Sequence, residues 1–473
     1  MLDLLNDFLW GKLLIVGLIG LGIVFTLFSG FVQFRYLGSM FGILGEAFQR
    51  KPGQLSSFQA LMLSVAGRVG AGNIAGVAVA VTLGGPGAVF WMWVVALLGM
   101  ATSYFECALA QLYKRSDGNG LYRGGPAFYI LHGLKQRWLG VLFSILLLVT
   151  FGLGFSALQS YTIASSLSDS LGLPTLVTGL VFTAVITLII FGGVVRIAKV
   201  ADILVPVMAL SYIAIALGVI VLHIDRVPEA LTLIVRSAFG LEPAFAGGLG
   251  AALMMGVKRG LFSNEAGLGS APNVAAVAEV SHPAAQGVVQ SFSVFIDTLI
   301  ICTSTALIIL LSGVYEPGAD IPGVVLTQTA LAATVGEWGR IFISIALLLF
   351  AFTTIIYNYY LGENALSFFT KSRVALMIYR VLVVALVIWG SQQDLTTVFG
   401  FADLTMGLLA VVNLISLAFL FKVGLRIMRD YDRQIRAGNK VPTFDPKGFA
   451  DLDLDPAVWK ASASASAKDM TKP

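Results

Sequence analysis

Two long apolar stretches, far apart in the chain, are each interrupted near the middle by glycines and polar side chains. Residues 64–93 read SVAGRVGAGNIAGVAVAVTLGGPGAVFWMW, and residues 256–273 read GVKRGLFSNEAGLGSAPN. Lipid offers no hydrogen-bond partner to a backbone, so a spanning helix can be broken only where protein or a wet cavity replaces the lost bonds. Two such breaks point to one polar site, shared between them, at mid-membrane.

A bilayer is the solvent implied, because 57% of the 473 residues are apolar and only 12% charged, with a mean hydropathy of +0.88. The apolar share lies above, and the charged share below, what soluble domains show. The net charge of +4 comes from basic residues in short loops beside apolar runs and in the tail. That distribution is a topology signal and argues against a nucleic-acid partner.

Apolar runs of about 20 residues are read as spans. Eleven are expected, near 9–32, 57–83, 87–113, 139–168, 175–194, 202–223, 244–280, 286–312, 340–369, 374–390 and 397–423. The fold class is all-α integral membrane, since barrel strands would read as shorter, alternating segments. Transmembrane residues occupy 1–440, and 441–473 form a cytoplasmic tail expected to be disordered, its end, ASASASAKDMTKP, being low in complexity.

Arg35, Arg50, Lys51, Lys114, Arg115, Arg123, Lys135, Arg137, Arg196, Lys199, Lys371 and Arg373 fall on one side with the basic tail, whereas the loop 313–339 has no Lys or Arg. The positive-inside rule then places the N-terminus outside and the C-terminus in the cytoplasm. MLDLLNDFLW lacks a basic leader and a cleavage site, so the first run is read as an uncleaved helix. Cys107 and Cys302 both lie inside expected spans, which excludes a disulfide framework or zinc cluster.

Without the first span, ten remain and divide as five plus five, about 57–224 and 244–423, with a broken span opening each half. Because five is odd, the halves are inverted relative to each other. That is an arrangement of secondary transporters, for which a leucine transporter is the standard example. The stretches GAGNIAGVAVAVTLGGPGAVFWMW (70–93), RGLFSNEAGLGSAP (259–272) and FAFTTIIYNYYLGEN (350–364) resemble the alanine or glycine:cation symporter family. The resemblance implies a leucine-transporter-type core with one added N-terminal helix. It also implies sodium-coupled uptake of a small neutral amino acid across a bacterial or archaeal plasma membrane.

The residues at the first break suit that cargo. Gly70, Ala71 and Gly72 leave N–H groups open at the positive end of a half-helix, where a carboxylate docks, and Asn73 adds an amide. The G-A-G-N-I-A string is not a dinucleotide fingerprint, which needs a preceding strand in a βαβ unit. Carbonyls of Ala66 and Val69 face the other way and suit a small hard cation. With the Phe350 carbonyl and the hydroxyls of Thr353 and Thr354 they make about five neutral oxygen ligands, a set that resembles the sodium position of this fold.

In the second break, Phe262 is expected to close over the substrate side chain and Asn264 to read its amine or carboxylate. Gly154, Gln159 and Tyr357 are further expected substrate contacts; Gln159 shares a helix face with Ser156 and Ser160, and its amide both donates and accepts. Glu265 is costly at this depth unless paired. Its expected role is an ion pair with Arg68, Lys258 or Arg259 that fixes the half-helix, the alternative being contact with the substrate ammonium; Arg68 and Glu265 thus serve gating or coupling. Glu106, Asp297 and Glu363 stay unranked as proton relays or helix anchors. No nucleophile with base, carboxylate pair or metal cluster occurs at a recognisable spacing, which disfavours an enzyme. Two alternatives remain: proton coupling in the same architecture, and a longer substrate such as glutamine selected by Arg68.

Overall fold

A backbone in lipid has to satisfy its own hydrogen bonds, and the chain does so with helices almost throughout. A computed structural model describes residues 2–36, 38, 56–118, 121–241, 248–317 and 323–459. The helices are α1 (Leu5–Phe28), α2 (Ser57–Arg68), α3 (Gly72–Gly84), α4 (Gly87–Leu112), α5 (Pro126–Gly133), α6 (Arg137–Leu171), α7 (Thr175–Ile190), α8 (Gly193–Leu222), α9 (Val227–Ala238), α10 (Gly248–Asn264), α11 (Ala271–Ala275), α12 (Pro283–Leu311), α13 (Gly323–Val335), α14 (Trp338–Phe369), α15 (Arg373–Gly390) and α16 (Leu395–Arg436). Strands β1 (Arg115–Ser116) and β2 (Tyr122–Arg123) form one small antiparallel pair between α4 and α5.

Among the described residues, eight helices are long and apolar enough to cross a membrane, and α2 with α3, bent by 48°, makes a ninth. The expected eleven therefore reduce to nine by length and apolarity. Helix α7 has 16 residues. Helix α10 has 17, carries Lys258 and Arg259, and is cut short by the second break; residues 244–247 of that expected span lie outside the described residues. Helices α5, α9 and α13 occupy stretches read as loops. Their eight to thirteen residues are too few to span, so a count of long apolar runs passes over them.

Helix α4 packs against α1, α9, α10, α12 and α16, while α14 packs against α6, α8 and α13; α2 lies between the two groups, touching α8 and α14 on one side and α11 and α12 on the other. Close approach relies on small residues: a Cβ on Gly256 would fall 2.4 Å from Trp91 and 2.6 Å from the Ala88 carbonyl. Large apolar side chains such as Leu188, Val374 and Phe419 point outward and are exposed, as lipid-facing residues are.

The tail departs from expectation. Residues 441–459 are folded against the basic face: Trp459 Nε1 donates to the Leu112 carbonyl (3.0 Å) and the Phe444 N–H to that of Ser281 (2.9 Å). The rings of Phe444, Phe449 and Trp459 pack together. Asp451 takes a two-pronged pair from Arg426 at 2.8 Å, and Asp453 meets Arg115 at 3.0 Å. Three buried aromatic rings and two anchored carboxylates offset the entropy of ordering the segment, which composition alone does not weigh. The low-complexity end, 460–473, lies outside the described residues.

Candidate functional site at the paired helix breaks

Helix α2 begins at a capping box, in which Ser56 Oγ accepts the Gln59 N–H and Gln59 Oε1 accepts the Ser56 N–H. It ends at Arg68, where Val69 leaves the helical region (ψ 88°), and the chain resumes through a π-helical turn over Gly72–Gly76. Neighbouring helices take up the freed backbone. Thr305 Oγ1 donates to the Asn73 carbonyl (2.7 Å), and Thr354 Oγ1 donates to the Ala66 carbonyl and to the Phe350 carbonyl, each at 2.9 Å.

The open N–H groups expected at 70–72 are in part occupied: Asn73 Oδ1 accepts from Gly70 (2.8 Å), and Gln159 Oε1 accepts from Ala71 (3.1 Å). Both acceptors are neutral amide oxygens held on side chains, standing where a carboxylate oxygen would make a stronger, charge-assisted bond. Gly72 leaves little room for a side chain, for a different reason. A Cβ there would lie 3.0 Å from the Phe262 ring, which is flanked by Phe155 and Phe399 at 5.1 and 5.9 Å.

The second break starts at Glu265, whose φ of +56° is unusual for a side chain larger than Asn. Gly267 (φ +93°) and Gly269 (φ +78°) follow before α11 restarts the helix. Asn264 Oδ1 accepts the Ala266 N–H (3.0 Å), while its Nδ2 is buried with no partner among the described residues. Glu106, on α4, accepts the Gly267 N–H (3.3 Å) and the Asn413 amide (3.0 Å), so it caps this break from the side.

The expected ion pair of Glu265 is not formed. Glu265 accepts hydrogen bonds from Ser270 (2.6 Å) and Tyr357 (2.8 Å). Lys258 and Arg259 turn instead to Asp403, at 2.7 and 2.6 Å. Arg68, 1% exposed, donates to the Gln290 carbonyl (3.0 Å), to Ser103 (3.0 Å) and to Ser293. With its backbone left-handed, Glu265 bonds Ser270 within its own break and Tyr357 on α14, a choice of partner that sequence spacing does not reveal.

Tyr357 joins the two breaks. Its hydroxyl holds Glu265, and its ring fills the space that a Cβ on Gly67 would need, the two being 2.2 Å apart. Of the expected cation ligands, the Ala66 carbonyl, the Phe350 carbonyl and the Thr354 hydroxyl converge. Thr353 Oγ1 also bonds the Phe350 carbonyl (2.9 Å) but faces Met208 Sδ on α8 at 3.7 Å. Val69 bonds through its N–H to the Val65 carbonyl (2.7 Å). Gly154 stands apart from the breaks, packed on the Phe401 ring 3.0 Å from where its Cβ would be.

Asp297, left unranked by sequence, contacts both broken segments. Its carboxylate accepts from Asn73 (2.6 Å) after the first break, Ser263 (2.9 Å) before the second, and Thr298 (2.7 Å). The signal available was an acid inside the run FIDTLIIC, which folds as a π-helical turn. Cys302 Sγ lies 3.4 Å from Asn73 Nδ2 and 3.1 Å from Ser263 Oγ. Glu363, by contrast, accepts from Tyr359 on its own helix (2.5 Å). Asn358, one turn beyond Thr354 on the same face, is fully buried with neither amide atom partnered among the described residues. No group of three His, Cys, Asp or Glu that could hold a metal ion occurs among the described residues.

Several known proteins resemble the chain along most of its length. The chain is 49% identical over 441 residues to a Bacillus subtilis protein described as a probable sodium/glutamine symporter, GlnT, covering 93% of this chain and 91% of that one. It is 48% identical to the amino-acid carrier protein AlsT of the same organism, covering 96% of each. It is 37% identical to the sodium/alanine symporter AgcS of Methanococcus maripaludis, covering 89% of this chain and 94% of that one. In structure it is similar to a manganese transporter of Eremococcus coleocola, with a TM-score of 0.55, 15% identity and 78% of each chain covered, a likeness of fold alone. A model of the sodium:alanine symporter family matches residues 1–446, and the chain, a multi-pass membrane protein, belongs to that family.

Proposed function

We propose that the protein is a secondary active transporter that carries a small neutral amino acid, alanine or glycine, inward with sodium by alternating access. The observation that carries this reading is the convergence of one broken helix on two kinds of ligand. Toward α6 it turns N–H groups that are held by exchangeable amide oxygens; toward α14 it turns the Ala66 carbonyl beside Thr354 and Phe350. The substrate carboxylate replaces Asn73 Oδ1 and Gln159 Oε1 at the Gly70 and Ala71 N–H groups, and Phe262 covers the small side chain over Gly72.

Sodium takes the oxygens of Ala66, Phe350 and Thr354, with Thr353 and Val69 completing the shell after a small rotation. A Cβ on Gly70 would lie 2.5 Å from Thr354 Oγ1, so the two sites share one segment, and ordering it for one ligand lowers the cost of binding the other. Tyr357, Glu265 and Asp297 then transmit the change to the second break.

In this reading the chain has eleven spans, one N-terminal helix and a five-plus-five inverted core, with α7 and the α10–α11 pair as short members of the core. The N-terminus is outside and the C-terminus inside the plasma membrane of a bacterium or archaeon. A second reading, glutamine as cargo, is favoured by the 49% identity to the Bacillus subtilis protein.

The test is uptake of radiolabelled alanine into proteoliposomes under an inward sodium gradient, against potassium and against a proton gradient, with glycine, serine and glutamine as competitors. Concentrative uptake that requires sodium supports the proposal, and the strongest competitor names the substrate. Uptake driven only by protons refutes sodium coupling.

A further inference from the structure

On the face that carries the basic loops, a cavity of about 430 Å³ opens between the β1–β2 pair, the end of α14 and the start of α15. None of its lining residues belongs to either helix break. Four cations line it, Arg115, Arg123, Lys371 and Arg373, against two carboxylates, Asp117 and Glu363. Arg115 is paired with Asp453 (3.0 Å), and Glu363 is held by Tyr359. Arg123 donates to Ser367 Oγ (3.1 Å) and, like Lys371 and Arg373, makes no ion pair among the described residues. Three positive groups thus share one concave space with the hydroxyls of Ser367 and Ser372.

The rest of the lining includes the apolar Phe128, Leu366 and Leu376, and on α15 the exposed Val374, Met377, Ile378 and Val381 continue the apolar surface. A cavity with a cationic floor that opens onto a lipid-facing helix matches an amphiphile with a charged head. Basic pockets between spanning helices recognise headgroups in this way, and the 18-residue α15 turns its positive N-terminal end toward the same space.

We propose that this cavity seats the phosphate of an anionic phospholipid, with its acyl chains lying along α15. The anion is held by Arg123, Lys371 and Arg373, and the binding stands independently of what the protein transports. A soluble phosphate would satisfy the same three cations but would leave the apolar lining uncovered.

The test uses the full-length chain in nanodiscs of phosphatidylglycerol or phosphatidylcholine, with bound lipid counted by native mass spectrometry. The expected result is selective retention of phosphatidylglycerol that falls about thirtyfold in the double variant Lys371→Gln/Arg373→Gln, because each cation near an anionic headgroup is worth about a factor of five. Both residues are exposed, so the variant should fold. Arg429→Gln, which removes an exposed charge elsewhere on the same face, should retain the lipid. Equal retention of phosphatidylcholine, or no loss in the double variant, overturns the proposal. So does inorganic phosphate binding in phosphatidylcholine discs, lost in the double variant, without selective retention of phosphatidylglycerol, which would assign the cavity to a soluble anion.

Discussion

Replacing Thr354 by Val tests the proposed ion site at the atom where the two ligand sites meet. Valine keeps the shape and deletes the hydroxyl, which is 2% exposed and lies 2.9 Å from the carbonyls of both Ala66 and Phe350. In the sodium-bound state the variant loses one of about five oxygen ligands, a loss of about 1–3 kcal/mol if it resembles a buried polar contact. In the sodium-free state it also loses the donor to Ala66, which leaves that carbonyl unpaired and offsets part of the difference. The net expectation is a rise of about fivefold to thirtyfold in the sodium concentration for half-maximal uptake, at 1.4 kcal/mol per tenfold.

The assay is alanine uptake into proteoliposomes against sodium concentration, with thermal melting of the purified variant to separate binding from folding. Because Gly70 touches Thr354, substrate affinity should fall at low sodium and recover at saturating sodium. Thr353→Val should shift sodium dependence less, since its hydroxyl faces Met208. A Thr354→Val protein that folds and shows unchanged half-saturating sodium would refute the ion-site assignment, whatever its maximal rate.

Gln159→Leu leaves the Ala71 N–H without its acceptor in the substrate-free state, where the proposed substrate carboxylate would restore the bond, and should lower the Michaelis constant for alanine about fivefold with little change in half-saturating sodium, as read from two-substrate uptake kinetics. Asp297→Asn places an amide N–H₂ among donors from Asn73, Ser263 and Thr298; uptake should fall at least about tenfold, and wild-type uptake driven by a pH gradient without sodium that this variant abolishes would move coupling to the proton. The docked tail should release in acid. A hydrogen bond from Arg426 holds the Asp451 carboxyl below the usual range, and for Asp453 burial opposes but bonds from His132 and Arg115 prevail in the same direction. Carboxyls lowered in the folded state stabilise docking above the ordinary Asp value of about 3.9 and lose that contribution as pH falls through the lowered values. Trp459 fluorescence, taken as the difference from Trp459→Phe, should therefore be flat from pH 7 to 5 and report exposure near pH 3.

The class of molecule and the location of its two breaks are legible in the residues alone, because both follow from what lipid forbids. Apolar runs have to become helices, and Gly70–Gly72 and Gly267–Gly269 can stand within them only if something polar replaces the lost backbone bonds. Spacing of one turn also put Thr354 and Asn358 on one face, and the structure brings Thr354 to Ala66. Short elements were not legible: α5, α9 and α13 carry too few residues for periodicity to declare them. The folded tail was hidden because its order depends on Phe444, Phe449 and Trp459 meeting one another and on Arg115 and Arg426 being within reach.

Which buried charge meets which emerges from packing. Glu265 was open to Arg68, Lys258 or Arg259 by proximity in sequence, yet it bonds Ser270 and Tyr357. Arg68 goes to Ser103, Gln290 and Ser293, and the two basic residues on α10 go to Asp403. Asp297 emerges as the acid that touches both broken segments, 224 residues from Asn73 in sequence. Burial requires every such group to find a partner, and that requirement is what the sequence states; the choice of partner depends on the crossing of helices and on the left-handed backbone at Glu265, which exist only once the chain is packed.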